Sequence, residues 1–224
     1  MARPVLSQRG NMVKGLAAWL LVAGVLAASA PGPRAVVESA VERVISMLEE
    51  SVDAATDAAA RRQTAEDRRT QIRRIASELF DFDEMARRAL SRSWAARTPA
   101  ERDEFVRLFT DVLERAYLGR IEAYAGERIV YLGETVDGAY ATVRSRILDR
   151  RNVETPVEYR LHRRSGRWRV YDVVIDHASF VARYRSEFGR VLQHEGYEAL
   201  VERLRQRAGV PATAADSALP RVRR

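Results

Sequence analysis

The sequence predicts an α+β domain: N-terminal helices, a four- to five-stranded antiparallel meander, then C-terminal helices. Three observations carry this. Before residue 125 and again after residue 179, apolar residues recur every three or four positions, the period of a helix face. Between these stretches lie four β-rich runs. Two of the junctions hold turn dipeptides, Asp137-Gly138 and Ser165-Gly166, which join neighbouring antiparallel strands.

Val37, Val41, Val44, Leu48 and Val52 mark a first helix, and Ile72, Ile75, Ala76 and Leu79 a second. Residues 53–67, rich in alanine and charge, read as exposed helix or as a break. Within residues 80–85 (FDFDEM), Asp81 can cap a third helix, with Glu84 three residues on and Phe80 and Met85 at the staple positions. Thr98-Pro99-Ala100-Glu101 is a stronger start, with a cap, a first-turn proline and a capping box. Phe105, Phe109, Val112, Ala116, Tyr117, Ile121 and Tyr124 form the stripe of the helix that follows, and Gly126 ends it. The β-rich runs are 129–135, 140–148, 155–162 and 168–175, with Pro156 suited to a strand start or an edge. In the last run, strict alternation puts Trp168, Val170 and Val174 on one face and Tyr171, Val173 and Ile175 on the other. Ser179 caps a helix carrying Phe180, Tyr184, Phe188, Val191 and Leu192. Gly196 breaks it before a last helix with Leu200, Val201 and Leu204.

The chain has 224 residues, 46% hydrophobic and 31% charged, enough to bury the core of one domain. Its net charge of +7 invites a nucleic-acid reading. The charge sits at the ends, however. Arg3, Arg9, Lys14 and Arg34 supply four of the seven charges, and residues 208–224 (three arginines against Asp216) supply two more. Residues 35–207 therefore carry about +1, and the nucleic-acid reading is set aside. A basic start, the uncharged apolar run 16–27 (LAAWLLVAGVLA) and Ala28-Ser29-Ala30 have the form of a cleaved signal peptide. Twelve apolar residues are too few to span a bilayer. The expected organisation is a signal peptide at 1–30, a folded domain at 31–207 and a disordered basic tail at 208–224, with export to the periplasm.

There is no cysteine, which excludes a disulfide scaffold, a thiolate metal site and a cysteine nucleophile. His162, His177 and His194 lie at no metal-ligand spacing, and neither a metal nor a cofactor is expected. No nucleophile elbow, phosphate loop or dinucleotide fingerprint occurs. Ser179 follows His177 by two residues, but a helix cap accounts for it. What remains is a large aromatic supply around one sheet, which is either an ordinary core or the lining of an apolar site.

Residues 80–124 contain FDFDEMARRAL, Trp94 at its spacing and a T-P-x-E-x-x-x-F block. Further on come WRVYDVVI at 168–175, Ser179, YRSEF at 184–188 and the ending 196–204. Together these resemble the MlaC, or toluene-tolerance, family. The resemblance implies a curved sheet and helices enclosing an apolar pocket, and a periplasmic carrier rather than an enzyme. The cargo would be a phospholipid with buried acyl chains. It would be exchanged with the inner-membrane MCE-domain protein of an ABC transporter and with an outer-membrane lipoprotein–porin complex. The lining is expected from Phe82, Met85 and Trp94, from Phe105, Phe109, Leu113 and Tyr117, and from Phe180, Tyr184 and Phe188 of the helices. From the strands it is expected from Val143, Tyr159, Trp168, Val170, Tyr171 and Val173. Asp172, His177, Ser179 and Arg185 belong to the matched motif without an assigned role. His177-Ala178-Ser179 stands where the family has Gly-Val-Ser or Gly-Ile-Ser, and implies a different turn or a reshaped rim. Two alternatives stay open: a hopanoid or other hydrophobic cargo, and a small pocket enzyme using His177 or Asp172.

Overall fold

A computed structural model describes residues 30–50 and 58–209. The expected signal peptide up to residue 29, Val52 and residues 210–224 lie outside the described residues. In chain order the elements are α1 (Pro33–Glu50), α2 (Ala58–Leu79), α3 (Phe82–Leu90) and α4 (Pro99–Glu122). Strands β1 (Arg128–Asp137), β2 (Tyr140–Leu148), β3 (Glu154–Arg164), β4 (Arg167–Ile175) and β5 (Ala178–Ser179) follow. Helices α5 (Phe180–His194) and α6 (Gly196–Gly209) close the order. The strands form one antiparallel meander, β1-β2-β3-β4-β5, so the α+β class stands as the sequence predicts.

Local chemistry accounts for most element ends. Asp81 Oδ1 accepts the Glu84 N–H at 3.0 Å and starts α3. Thr98 and Glu101 form a reciprocal capping box ahead of α4, with Pro99 in its first turn. That helix stops at Glu122, before Gly126: the Ala123 N–H makes the last bond four residues back, to Gly119 O, and the Tyr124 N–H bonds three residues back, to Ile121 O, which tightens the end. Ser165 and Gly166 have φ of +49° and +78°, the two positive values of a type I′ hairpin. The β1–β2 loop is Gly138-Ala139, one residue later than the dipeptide suggests, since Asp137 still pairs with Tyr140. Pro156 sits near the start of β3, where β4 has run out and Asp176 donates to its carbonyl. Helix α6 extends through Ala208 and Gly209.

Strict alternation fails in β4. Arg160 pairs with Asp172 and Leu161 with Val170, which leaves Tyr171 as an extra, bulged residue. The bulge turns Tyr171 and Asp172 to the same side and resets the pattern. Trp168, Val170 and Val173 therefore share one packed cluster, with Ile175 against it. Tyr171 lies across the sheet, edge-on to His162 and under the Arg88 guanidinium at 4.0 Å.

Two cores result. One joins α3, α4, α5 and α6 around Phe105, Phe109, Tyr184 and Phe188. The other joins one sheet face, with Val143, Val157, Leu161 and Val170, to Val37 of α1 and Ile75 and Leu79 of α2.

Candidate functional site

The same sheet face leaves room beyond its packed part. A cavity of about 560 Å³ lies between that face and helices α1, α2 and α4. This volume is within the usual range for ligand sites, about 300–1,000 Å³. Helix α1 contributes Val41, Val44, Ile45 and Leu48; α2 contributes Ile72, Ile75, Ala76 and Leu79; α4 contributes Leu113, Tyr117, Leu118 and Ile121. The sheet supplies Ile129, Ile147, Val157, Tyr159, Val173 and Ile175, and Phe80, Phe82, Met85 and Phe180 also line the space. The four α1 residues are only partly buried although they are aligned on the apolar face. The helix and the sheet stand apart, so these side chains lack the close neighbours that would fill a core.

Charge is confined to six lining residues, Arg73, Glu114, Arg120, Glu127, Asp149 and Arg183. Arg73 Nε pairs with Glu114 at 2.9 Å, and Arg69 pairs with Glu122 at 2.7 Å, so two arginines of α2 reach across to α4. Glu127 accepts the Ala125 N–H, and Asp149 accepts from the Arg151 and Val153 N–H groups. The rim exposes Ile121 and Val153, two of the few large apolar side chains open to solvent.

Tyr159 is the buried phenol of the cavity wall. Burial pushes its pKa up to about 12, against a hydrogen bond with Ser145 that lowers it. Burial also raises that of Tyr131, whose Oη has no partner. A raised phenol favours the folded state fully below its ordinary value of 10.0 and ceases to as pH climbs through its folded value. Stability is therefore expected to fall between about pH 10 and 12, and the Tyr159→Phe variant should fall less steeply. Denaturant melts across that range, read beside phenolate absorbance, check this; equal slopes would refute the assignment.

Of the aromatic and aliphatic residues expected to line a pocket, Phe82, Met85, Leu113, Tyr117, Tyr159, Val173 and Phe180 do line it. The others do not. Phe105, Phe109, Tyr184 and Phe188 pack ring against ring in the helical core. Trp94 lies in the 3-10 turn Ser91–Trp94 against that core, under Arg102. Val143, Trp168 and Val170 are sealed into the packed end of the sheet face, and the bulge carries Tyr171 to the opposite face. Asp172 is 3% exposed and organises the start of α5. Its carboxylate accepts from Ser179 Oγ (2.6 Å), the Val181 N–H (3.1 Å) and Arg160 (3.3 Å). Ser179 in turn caps the Ala182 N–H and lines the cavity.

Asp176 and His177, with φ of +47° and +65°, form the two-residue β4–β5 turn, and His177 is exposed outside the cavity. A non-glycine residue in that conformation costs roughly 1–2 kcal/mol, so glycine would serve the same turn more cheaply. Arg185 is exposed on α5. The residues not anticipated as lining include every one from α1 and α2, besides the end of α4 and parts of the strands. The α1 and α2 stripes were legible as helix faces, but nothing in them tells a filled contact from an open one.

A small α+β domain that holds an apolar cavity between its sheet and its helices, with charges kept to a few lining positions, defines a hydrophobic-ligand-binding protein. Comparison with known proteins is more specific. The chain belongs to the MlaC protein family, whose pattern matches residues 40–206. It is 22% identical over 148 residues to the intermembrane phospholipid transport system binding protein MlaC of Haemophilus influenzae, covering 64% of this chain and 69% of that one. Its fold matches that of a phospholipid-binding protein from Ralstonia solanacearum, solved in complex with a phospholipid. The TM-score is 0.69 at 20% identity, over 82% of this chain and 100% of the other.

Proposed function

We propose that this protein is a periplasmic phospholipid carrier that takes the acyl chains of one lipid into the cavity. The observation that supports this most directly is the cavity itself, about 560 Å³ walled almost wholly by aliphatic and aromatic side chains. Each buried methylene contributes about 0.8 kcal/mol, so two chains of ~16 carbons are worth on the order of 20 kcal/mol. That energy explains why transfer through water requires an enclosing protein, and why release has to be coupled to docking. The inner-membrane MCE-domain protein of an ABC transporter and an outer-membrane lipoprotein–porin complex are the proposed docking partners. The N-terminal sequence is the proposed export signal. An enzyme reading has no support in the lining, which contains no histidine, and Asp172 is consumed in holding α5.

Denaturing mass spectrometry of the purified mature protein tests the carrier reading. A stoichiometric co-extracted phospholipid is the expected result. A polycyclic lipid would redefine the cargo, and repeated absence of any lipid would sink the proposal. The Ala76→Trp variant places an indole in the cavity from a half-buried helix position. Retained lipid should drop roughly tenfold, about 1.4 kcal/mol, with the fold intact by circular dichroism. Undiminished loading would show that the chains lie elsewhere.

A further inference from the structure

Arg183 stands out among the lining charges. It is half-buried in the second turn of α5 and faces the cavity. Its Nη2 donates to Tyr117 Oη at 3.0 Å, and its guanidinium lies 4.8 Å from the Tyr184 ring centroid. Its Nε is buried with no hydrogen-bond partner. No carboxylate among the described residues forms an ion pair with it, whereas Arg73 has Glu114. The second arginine of this corner, Arg120, lies 5.8 Å from the same Tyr117 ring.

A buried donor left unsatisfied costs about 1–3 kcal/mol, and a desolvated guanidinium costs more without a counter-charge. Among the described residues Arg183 meets a phenol and an aromatic face and no carboxylate. The group that fits is an oxyanion with two free oxygens, which a planar guanidinium takes bidentately. Its place on an apolar lining is where a bound amphiphile would change from hydrocarbon to polar head.

We infer that Arg183 holds the phosphodiester of the bound lipid, so that the cavity selects phosphate-bearing amphiphiles over neutral ones with the same chains. This rests on the carrier reading and adds headgroup recognition to it.

The test reloads delipidated protein from equimolar phosphatidylglycerol and diacylglycerol of identical acyl chains, with uptake read by native mass spectrometry. The wild type should prefer the phospholipid about tenfold or more. Arg183→Met should abolish the preference, with phosphatidylglycerol uptake falling about tenfold further than diacylglycerol uptake. Arg183→Lys, which keeps the charge and loses the fork, should keep only part of it. The exposed Arg185→Met serves as the charge-matched control and should behave as wild type. Preference retained in Arg183→Met, or equal loss of both lipids, overturns the inference. So does Arg183-dependent binding of inorganic phosphate alone, which would mark a free-anion site. A wild type that takes up both lipids equally refutes headgroup selection and leaves the carrier intact. A wild type that takes up neither refutes the carrier.

Discussion

Phe109→Ala is expected to lower the stability of the fold by about 3–5 kcal/mol, a large share of the ~5–15 kcal/mol of a typical domain. Phe109 is fully buried. Its ring meets Tyr184 at 5.0 Å and Phe188 at 5.5 Å edge-on, and stacks with Phe105 at 6.0 Å. Helices α4 and α5 meet through this cluster, with α3 and α6 closing it. Truncation would remove the transfer energy of the ring and leave a void that four helices cannot collapse around together. Because Phe109 does not line the cavity, the fraction that folds should carry as much lipid as the wild type. Denaturant midpoints and lipid-to-protein ratios measured on one preparation separate the two effects. A variant of normal stability that lost its lipid would move the binding site into the helical core.

Asp172→Ala should cost about 3 kcal/mol. The loss has a specific origin. One carboxylate oxygen accepts the buried Val181 N–H, and the other accepts Ser179 Oγ, which itself caps Ala182. Removing the carboxylate orphans the first turn of α5 and frees the serine from its orientation. Arg160 adds little, since its side chain is 42% exposed and solvent screens the pair. Asp172→Asn retains an acceptor and should cost about half as much. Chemical denaturation with both variants checks the ranking. A loss under ~1 kcal/mol for alanine would show that the turn finds water instead. Since Ser179 and Phe180 line the cavity, lipid retention should fall with stability in this case, unlike the Phe109 variant.

Much of the fold was legible because its signals are local. The Thr98–Glu101 box, the Asp81 and Ser179 caps and the Ser165-Gly166 turn act within four residues, and each appears where its chemistry puts it. The faces of β4 were not legible, because a bulge at Tyr171 depends on the register against β3 and not on β4 alone. The same reason separates the expected lining from the observed one. Phe105 and Phe109 lie on the same helix as Leu113 and Tyr117, yet the first pair is sealed by α5 and the second opens on the cavity.

The sequence by itself determined the α+β class, the order of the main elements, most of their caps and turns, and the family. All of these are written in periodicity and in motifs a few residues long. Only the tertiary structure decided that α1 and α2 stand off the sheet around a cavity, and that Asp81, read as a cap, also meets His162 at 2.9 Å. It also decided that Arg183 meets Tyr117 with a donor left over. The physical reason is that an apolar stripe records only the need to leave water. Whether protein or a guest's hydrocarbon answers that need depends on the distance between elements far apart in the chain.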